Sequence, residues 1–132
     1  MTTYAETTQP DVQRVVETLR TQYGEFSLAM LYSDDGLSPA GGWNLIVAAP
    51  WTDALGKAEA TGVVVRALSK GLSLENKHAI SRVTVLPTRE PFVRDLTFLY
   101  RITSPGSGQW VQNISAGGIP IDAAYIFYSR GE

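Results

Sequence analysis

Between residues 8 and 24 the apolar positions recur at helical spacing: Val12, Val15, Val16, Leu19 and Tyr23 fall three and four apart and share one face. Thr8-Gln9-Pro10-Asp11 reads as the start of that helix, with Thr8 as N-cap, a proline in the first turn and an acid at the positive end of the dipole. Gly24 stands where the left-handed residue past a helix belongs, and residues 1–7 read as a flexible tail. The period then changes to two. Phe26, Leu28, Met30 and Tyr32 alternate with Glu25, Ser27, Ala29 and Leu31 until Asp34-Asp35-Gly36 breaks the strand, and Ser38-Pro39-Ala40-Gly41-Gly42 extends the loop. Leu45-Ile46-Val47-Ala48-Ala49 is apolar without interruption and stops at Pro50, the signature of a strand buried on both faces. The two strands most simply form an antiparallel hairpin.

Residues 53–70 return to helical spacing, with Thr52 or Asp53 as the opening residue. Ala54, Ala58, Thr61, Val65, Leu68 and Leu72 can share one face, with Lys57, Glu59, Arg66 and Lys70 left to solvent. Gly56 and Gly62 each weaken such a helix by about 1 kcal/mol relative to alanine, which points to close packing on a neighbour. Gly71 ends it, and Ser73-Leu74-Glu75-Asn76 reads as a new cap and one short turn. Residues 81–86 alternate as a strand up to Pro87, so strand, crossover helix and strand make a parallel βαβ unit.

Thr88-Arg89-Glu90-Pro91 repeats the helix-start chemistry, and Phe92, Val93, Leu96 and Leu99 follow at helical spacing. Residues 96–102 would serve equally as helix or strand. After the loop at Ser104-Pro105-Gly106-Ser107-Gly108, residues 109–115 and 119–129 form a final hairpin turning through Ala116-Gly117-Gly118. Its second strand has large apolar residues on both faces, so it is either central or an edge covered by another subunit. The pattern as a whole predicts a single α+β domain over 1–132. Its elements run α-β-β-α-β-α-β-β in two layers, with a mixed sheet of about five strands, one parallel βαβ unit and helices mainly on one face.

Composition narrows the partners. The chain has 132 residues, 44% hydrophobic and only 18% charged, a balance that leaves apolar surface to be covered and favours self-association. A net charge of -2, with 11 Lys and Arg scattered along the sequence, argues against a nucleic-acid partner. There is no cysteine, which excludes disulfides, thiolate metal sites and Cys nucleophiles. Met1-Thr2-Thr3-Tyr4-Ala5-Glu6 carries no signal-peptide pattern, and no apolar stretch reaches the roughly 18 residues of a membrane helix. A cytoplasmic location with no membrane partner and no cofactor is expected.

The parallel strands offer one candidate site, because ligands gather beyond the carboxyl ends of such strands, beside helix N-termini. Ala49-Pro50-Trp51-Thr52-Asp53 and Leu86-Pro87-Thr88-Arg89-Glu90 should finish at the same edge. Trp51, Thr52, Asp53, Thr88 and Arg89 would then be neighbours able to hold a small anionic ligand. Against this, Thr52 and Thr88 are ordinary N-caps, Asp53 and Glu90 first-turn acids, and Trp51 packing. His78 is the only histidine and has no partner His or Cys. Glu75-Asn76-Lys77, with Asp53 or Asp34/Asp35 upstream, has the composition of a magnesium-dependent hydrolase site but falls on a turn instead of a strand. Asp34-Asp35-Gly36 lacks the later acids of a calcium loop. No phosphate-binding glycine motif and no Gly-x-Ser-x-Gly elbow occurs.

Three tryptophans and six tyrosines are many for this length, and such rings are enriched at interfaces. The residues favour a non-catalytic interaction module, a homodimer or the partner of another protein, acting through Trp110, Tyr125, Phe127 and Tyr128 of the last hairpin. Two other readings remain: a small-ligand binding or sensor domain using the Trp51–Arg89 edge, and a metal-dependent hydrolase or nuclease using Asp53, Glu75 and Lys77.

Overall fold

The computed structural model describes residues 4–33 and 42–130. The elements run α1 (Tyr4–Tyr23), β1 (Leu28–Ser33), β2 (Trp43–Ala48), α2 (Pro50–Leu55), α3 (Lys57–Gly71), a short 3-10 turn (Leu74–Asn76), β3 (Ile80–Val85), α4 (Pro91–Leu99), β4 (Gln109–Ala116) and β5 (Ile119–Ser129). They build one mixed sheet in the order β3-β2-β1-β5-β4, with β2 and β3 parallel and every other pair antiparallel. This is the α+β architecture that the apolar pattern predicts. The expected turn at 34–36 and loop at 38–41 lie outside the described residues.

Both faces of the three central strands are buried, as the uninterrupted apolar run in β2 requires. On one face Val12, Val15, Val16 and Leu19 of α1 and Val64 and Leu68 of α3 cover Ala29, Leu31, Leu45 and Val47. On the other, Phe92, Val93 and Leu96 of α4 cover Leu28, Met30, Ile46 and Ile126. Each such side chain taken fully from water contributes about 1.5–3 kcal/mol, so the two clusters provide the main stabilisation of the fold.

Several local expectations are corrected. Helix α1 starts at Tyr4, so Thr8 is not its N-cap and Pro10 lies inside the helix. Thr8 is instead buried, with its hydroxyl donating to Asn76 Oδ1 at 3.2 Å. The helix expected over 53–70 is two helices, because Gly56 at φ +89° ends one and opens the next. That break resets the helical phase. The buried face of α3 is Ala60, Val63, Val64 and Leu68, while Val65 is 47% exposed and Ala58 lies in solvent. Gly56 and Gly62 are not sites of close packing: a Cβ would meet nothing within 4 Å at the first and only the Arg66 guanidinium at the second. The close approach is at Gly71, where a Cβ would lie 2.7 Å from Val15 Cγ2.

The ambiguous stretch at 96–102 is helix as far as Leu99, after which Ile102 makes a single antiparallel bridge to Ser129. The final hairpin forms as expected, through a two-residue turn with Gly117 at φ +56° and Gly118 at φ +79°. Left-handed conformations at both positions match the twist of a tight hairpin and favour glycine. Strand β5 lies between β1 and β4, so it is an interior strand.

Candidate functional site

The parallel strands finish together, in the register Val47↔Val85, and the Leu86 N–H donates to Val47 O at 3.0 Å. The chain leaving β2 therefore meets the chain leaving β3. Asp53 joins them: its carboxylate accepts the Thr88 hydroxyl at 2.6 Å and the Thr88 N–H at 3.2 Å. Antiparallel pairing brings two further chain ends to the same place. Ser27, just before β1, donates its N–H to Ala48 O at 2.9 Å, and Arg130, just after β5, donates its N–H to Ser27 O at 2.8 Å. Helix α4 crosses this end of the sheet on the face covered by Phe92 and Leu96.

The result is a groove of about 610 Å³ that collects Arg89, Arg94 and Arg101, on and around α4, together with Arg130 from the end of β5. Ser27, Thr88, Val93, Thr97 and Phe98 complete its lining. Its volume falls in the range of about 300–1,000 Å³ common for small-ligand sites. The Arg101 Nη1 donates to Arg130 O at 2.9 Å, which holds one guanidinium across the end of β5. Arg130 is partly neutralised, with Nη1 2.5 Å from Glu25 Oε2. Among the described residues Arg89, Arg94 and Arg101 have no carboxylate partner. The two threonine hydroxyls are already committed as donors, Thr88 to Asp53 and Thr97 to Val93 O at 2.9 Å. Donation to a ligand thus falls mainly to the guanidinium groups, whose planar forks match carboxylate and phosphate oxygens.

A charge network buttresses the groove from behind. Arg20 reaches Glu17 at 3.0 Å and Glu25 at 2.7 Å, and its guanidinium carbon lies 5.8 Å from the centre of the Tyr128 ring. The Tyr128 hydroxyl donates to Glu17. Burial, and then that hydrogen bond to a carboxylate, hold the Tyr128 phenol well above its usual range, so it stays neutral. For Glu25 desolvation acts upward, but hydrogen bonds from Arg20 and Arg130 outweigh it and lower its pKa below 4.5.

The structure divides the residues picked out from the sequence. Thr88 and Arg89 line the groove, and Asp53 borders it as the acceptor that holds Thr88. Thr52 is turned inward: its buried hydroxyl accepts the Ala49 N–H and donates to Ala49 O, both at 2.9 Å, which makes it a local cap. Trp51 lies against the end of α1, stacked on Tyr23 with ring centroids 4.9 Å apart and edge-on to Phe26 at 5.6 Å. Glu75 precedes β3 while Asp53 lies beyond the strand's far end, so about 20 Å of strand separates them at ~3.3 Å per residue. A shared metal is out of reach for that pair. Lys77 instead donates to Ser69 O, and His78 is exposed on the turn before β3.

The aromatic interface expected on the last hairpin is also redistributed. Phe127 and Tyr128 are fully buried and Tyr125 is 7% exposed, so these three rings are core and offer no docking surface. Trp110, 37% exposed, packs edge-on against Tyr125 at 4.9 Å and tilts against Trp43 at 5.8 Å. Sequence reasoning found Arg89 but missed Arg94, Arg101, Arg130 and Phe98. The available signal was Arg94 and Phe98 four apart on a short helix, with Arg101 three further on. Comparison with known protein families, curated proteins and solved structures finds no match for this chain.

Proposed function

We propose that this chain is a small binding domain that takes an anionic ligand, bearing phosphate or carboxylate groups, in the arginine groove at the carboxyl end of β3. One observation carries this reading: four arginines converge on one groove of a chain whose net charge is -2, and only Arg130 has a carboxylate partner among the described residues. Like charges gathered with little counter-charge repel one another, and such an arrangement is relieved when an anion enters. The groove supplies guanidinium donors, and its one hydroxyl beside a carboxylate, Thr88 on Asp53, is engaged in tying the chain after β2 to the chain after β3, so binding is the activity it supports best.

The expected signature is saturable binding of inorganic pyrophosphate or citrate, measured by calorimetry and weakening as salt rises. Arg94→Ala should lower that affinity roughly tenfold, the equivalent of one charge-assisted hydrogen bond in a half-open site. Unchanged affinity in Arg94→Ala and in Arg89→Ala would remove the groove from the account. A self-associating module working through the last hairpin draws support only from the exposed Trp110 and Ile119.

A further inference from the structure

We infer that the groove works at a membrane surface: it takes the phosphate of anionic lipid headgroups, and Phe98 and Leu99 enter the boundary between headgroups and acyl chains. This rests on the anion-binding reading and adds what a free anion leaves unexplained. Phe98 is 89% exposed and Leu99 57% exposed, side by side at the end of α4. Phe98 also lines the rim of the groove, with Arg94 one turn before it and Arg101 just beyond the helix. A soluble anion would engage the guanidinium groups and leave both apolar side chains in water.

A bilayer uses both features at once. Its surface offers closely spaced negative phosphates to the arginines, and apolar side chains that protrude need only a shallow insertion to leave water. A folded protein partner fits less well. A stable interface covers roughly 800 Å² on each side around a buried apolar centre, whereas two protruding side chains at the rim of an arginine groove form only a tip. The net charge of -2 makes the attraction local, so the domain would meet an anionic bilayer through this end alone. The contact is peripheral, and no helix among the described residues is long and apolar enough to cross a membrane.

The test is co-sedimentation of the full chain with phosphatidylcholine vesicles, with and without about one third phosphatidylserine, alongside pyrophosphate binding. Wild type should sediment with the anionic vesicles only, and less so at high salt. Arg94→Ala should weaken vesicle binding about fivefold, as expected for removal of one cation near such a surface, and weaken pyrophosphate binding as well. Leu99→Ala, outside the groove lining, should weaken vesicle binding severalfold and leave pyrophosphate binding unchanged, and Phe98→Ala with Leu99→Ala should weaken vesicle binding tenfold or more. Both side chains are exposed, so the fold should tolerate the change. Phe98→Trp should give a blue-shifted emission with anionic vesicles and none with pyrophosphate.

Pyrophosphate binding without vesicle binding would overturn the membrane inference and leave the anion site standing. Loss of both would overturn both. Vesicle binding undiminished in the double variant would overturn insertion, and binding to soluble polyglutamate as tight as to vesicles would assign the surface to an acidic polypeptide instead.

Discussion

At the end of the sheet where β3 begins, a buried acid is fully engaged. At the end where β3 finishes, several cations are left open. Asp11 is 4% exposed, and its Oδ2 accepts the Ser73 N–H and hydroxyl, each at 2.8 Å, and the Asn76 amide at 3.0 Å. Its other oxygen pairs with Arg14. The contacts of Oδ2 fasten α1 to the chain between α3 and β3, and the Arg14 pair stays within α1. The arginines of the far groove fasten almost nothing, since only Arg101 and Arg130 make contacts that hold chain ends in place. Polar groups whose hydrogen bonds are satisfied internally are part of the scaffold, while charges left to solvent at one place are free for a ligand.

The comparison is most directly broken at its scaffold end. Asp11→Ala would remove the acceptor shared by the Ser73 N–H, the Ser73 hydroxyl and the Asn76 amide, and should cost about 3 kcal/mol in chemical denaturation. Pyrophosphate affinity of the folded protein should stay as it is, because the groove lies at the opposite end. Gly117→Ala acts between the two regions. Its φ of +56° disfavours a side chain, and a Cβ there would lie 2.7 Å from Phe92 N at the start of α4. A loss of about 2 kcal/mol is expected, with weaker pyrophosphate binding too, since α4 carries Arg94.

At the groove the balance should reverse. Arg94→Ala should change stability by no more than about 0.5 kcal/mol in the same denaturation experiment, while removing the tenfold of affinity given above. The smallest effect concerns Glu25, whose folded pKa lies below its ordinary 4.5. A depressed carboxylate stabilises the fold above the unfolded pKa, and that contribution is lost as pH falls through the folded value. Wild type should therefore exceed Glu25→Gln slightly in stability at pH 7, and the difference should close as pH drops below about 4.5. The same substitution frees Arg130, so pyrophosphate should bind Glu25→Gln more tightly at neutral pH.

Legibility in the sequence followed the range of the interactions. The helix carrying Val12, Val15, Val16 and Leu19, the doubly buried β2 and the glycine turn of the last hairpin were readable because side-chain period and backbone preference are local. Thr8 misled because threonine before a proline is good cap chemistry, yet its hydroxyl found Asn76 across the fold. The face of α3 misled because one glycine at φ +89° restarted the helical phase. The candidate site was half legible. The parallel strands put Asp53 and Thr88 within 2.6 Å, as their matched endings implied, and Arg89 beside them.

By itself, then, the sequence determined most of the elements, their order, the parallel crossover and the edge where a site could form. Apolar periodicity and turn residues act over a few positions and are written where they act. Only the tertiary structure decided that Phe127 and Tyr128 are core, that Trp51 packs on Tyr23, and that Arg130 joins the arginines around α4 in one groove. Burial and charge clustering depend on which strands become neighbours. The order β3-β2-β1-β5-β4 brings the start of β1 and the ends of β2, β3 and β5 to one place, a juxtaposition made by long-range pairing.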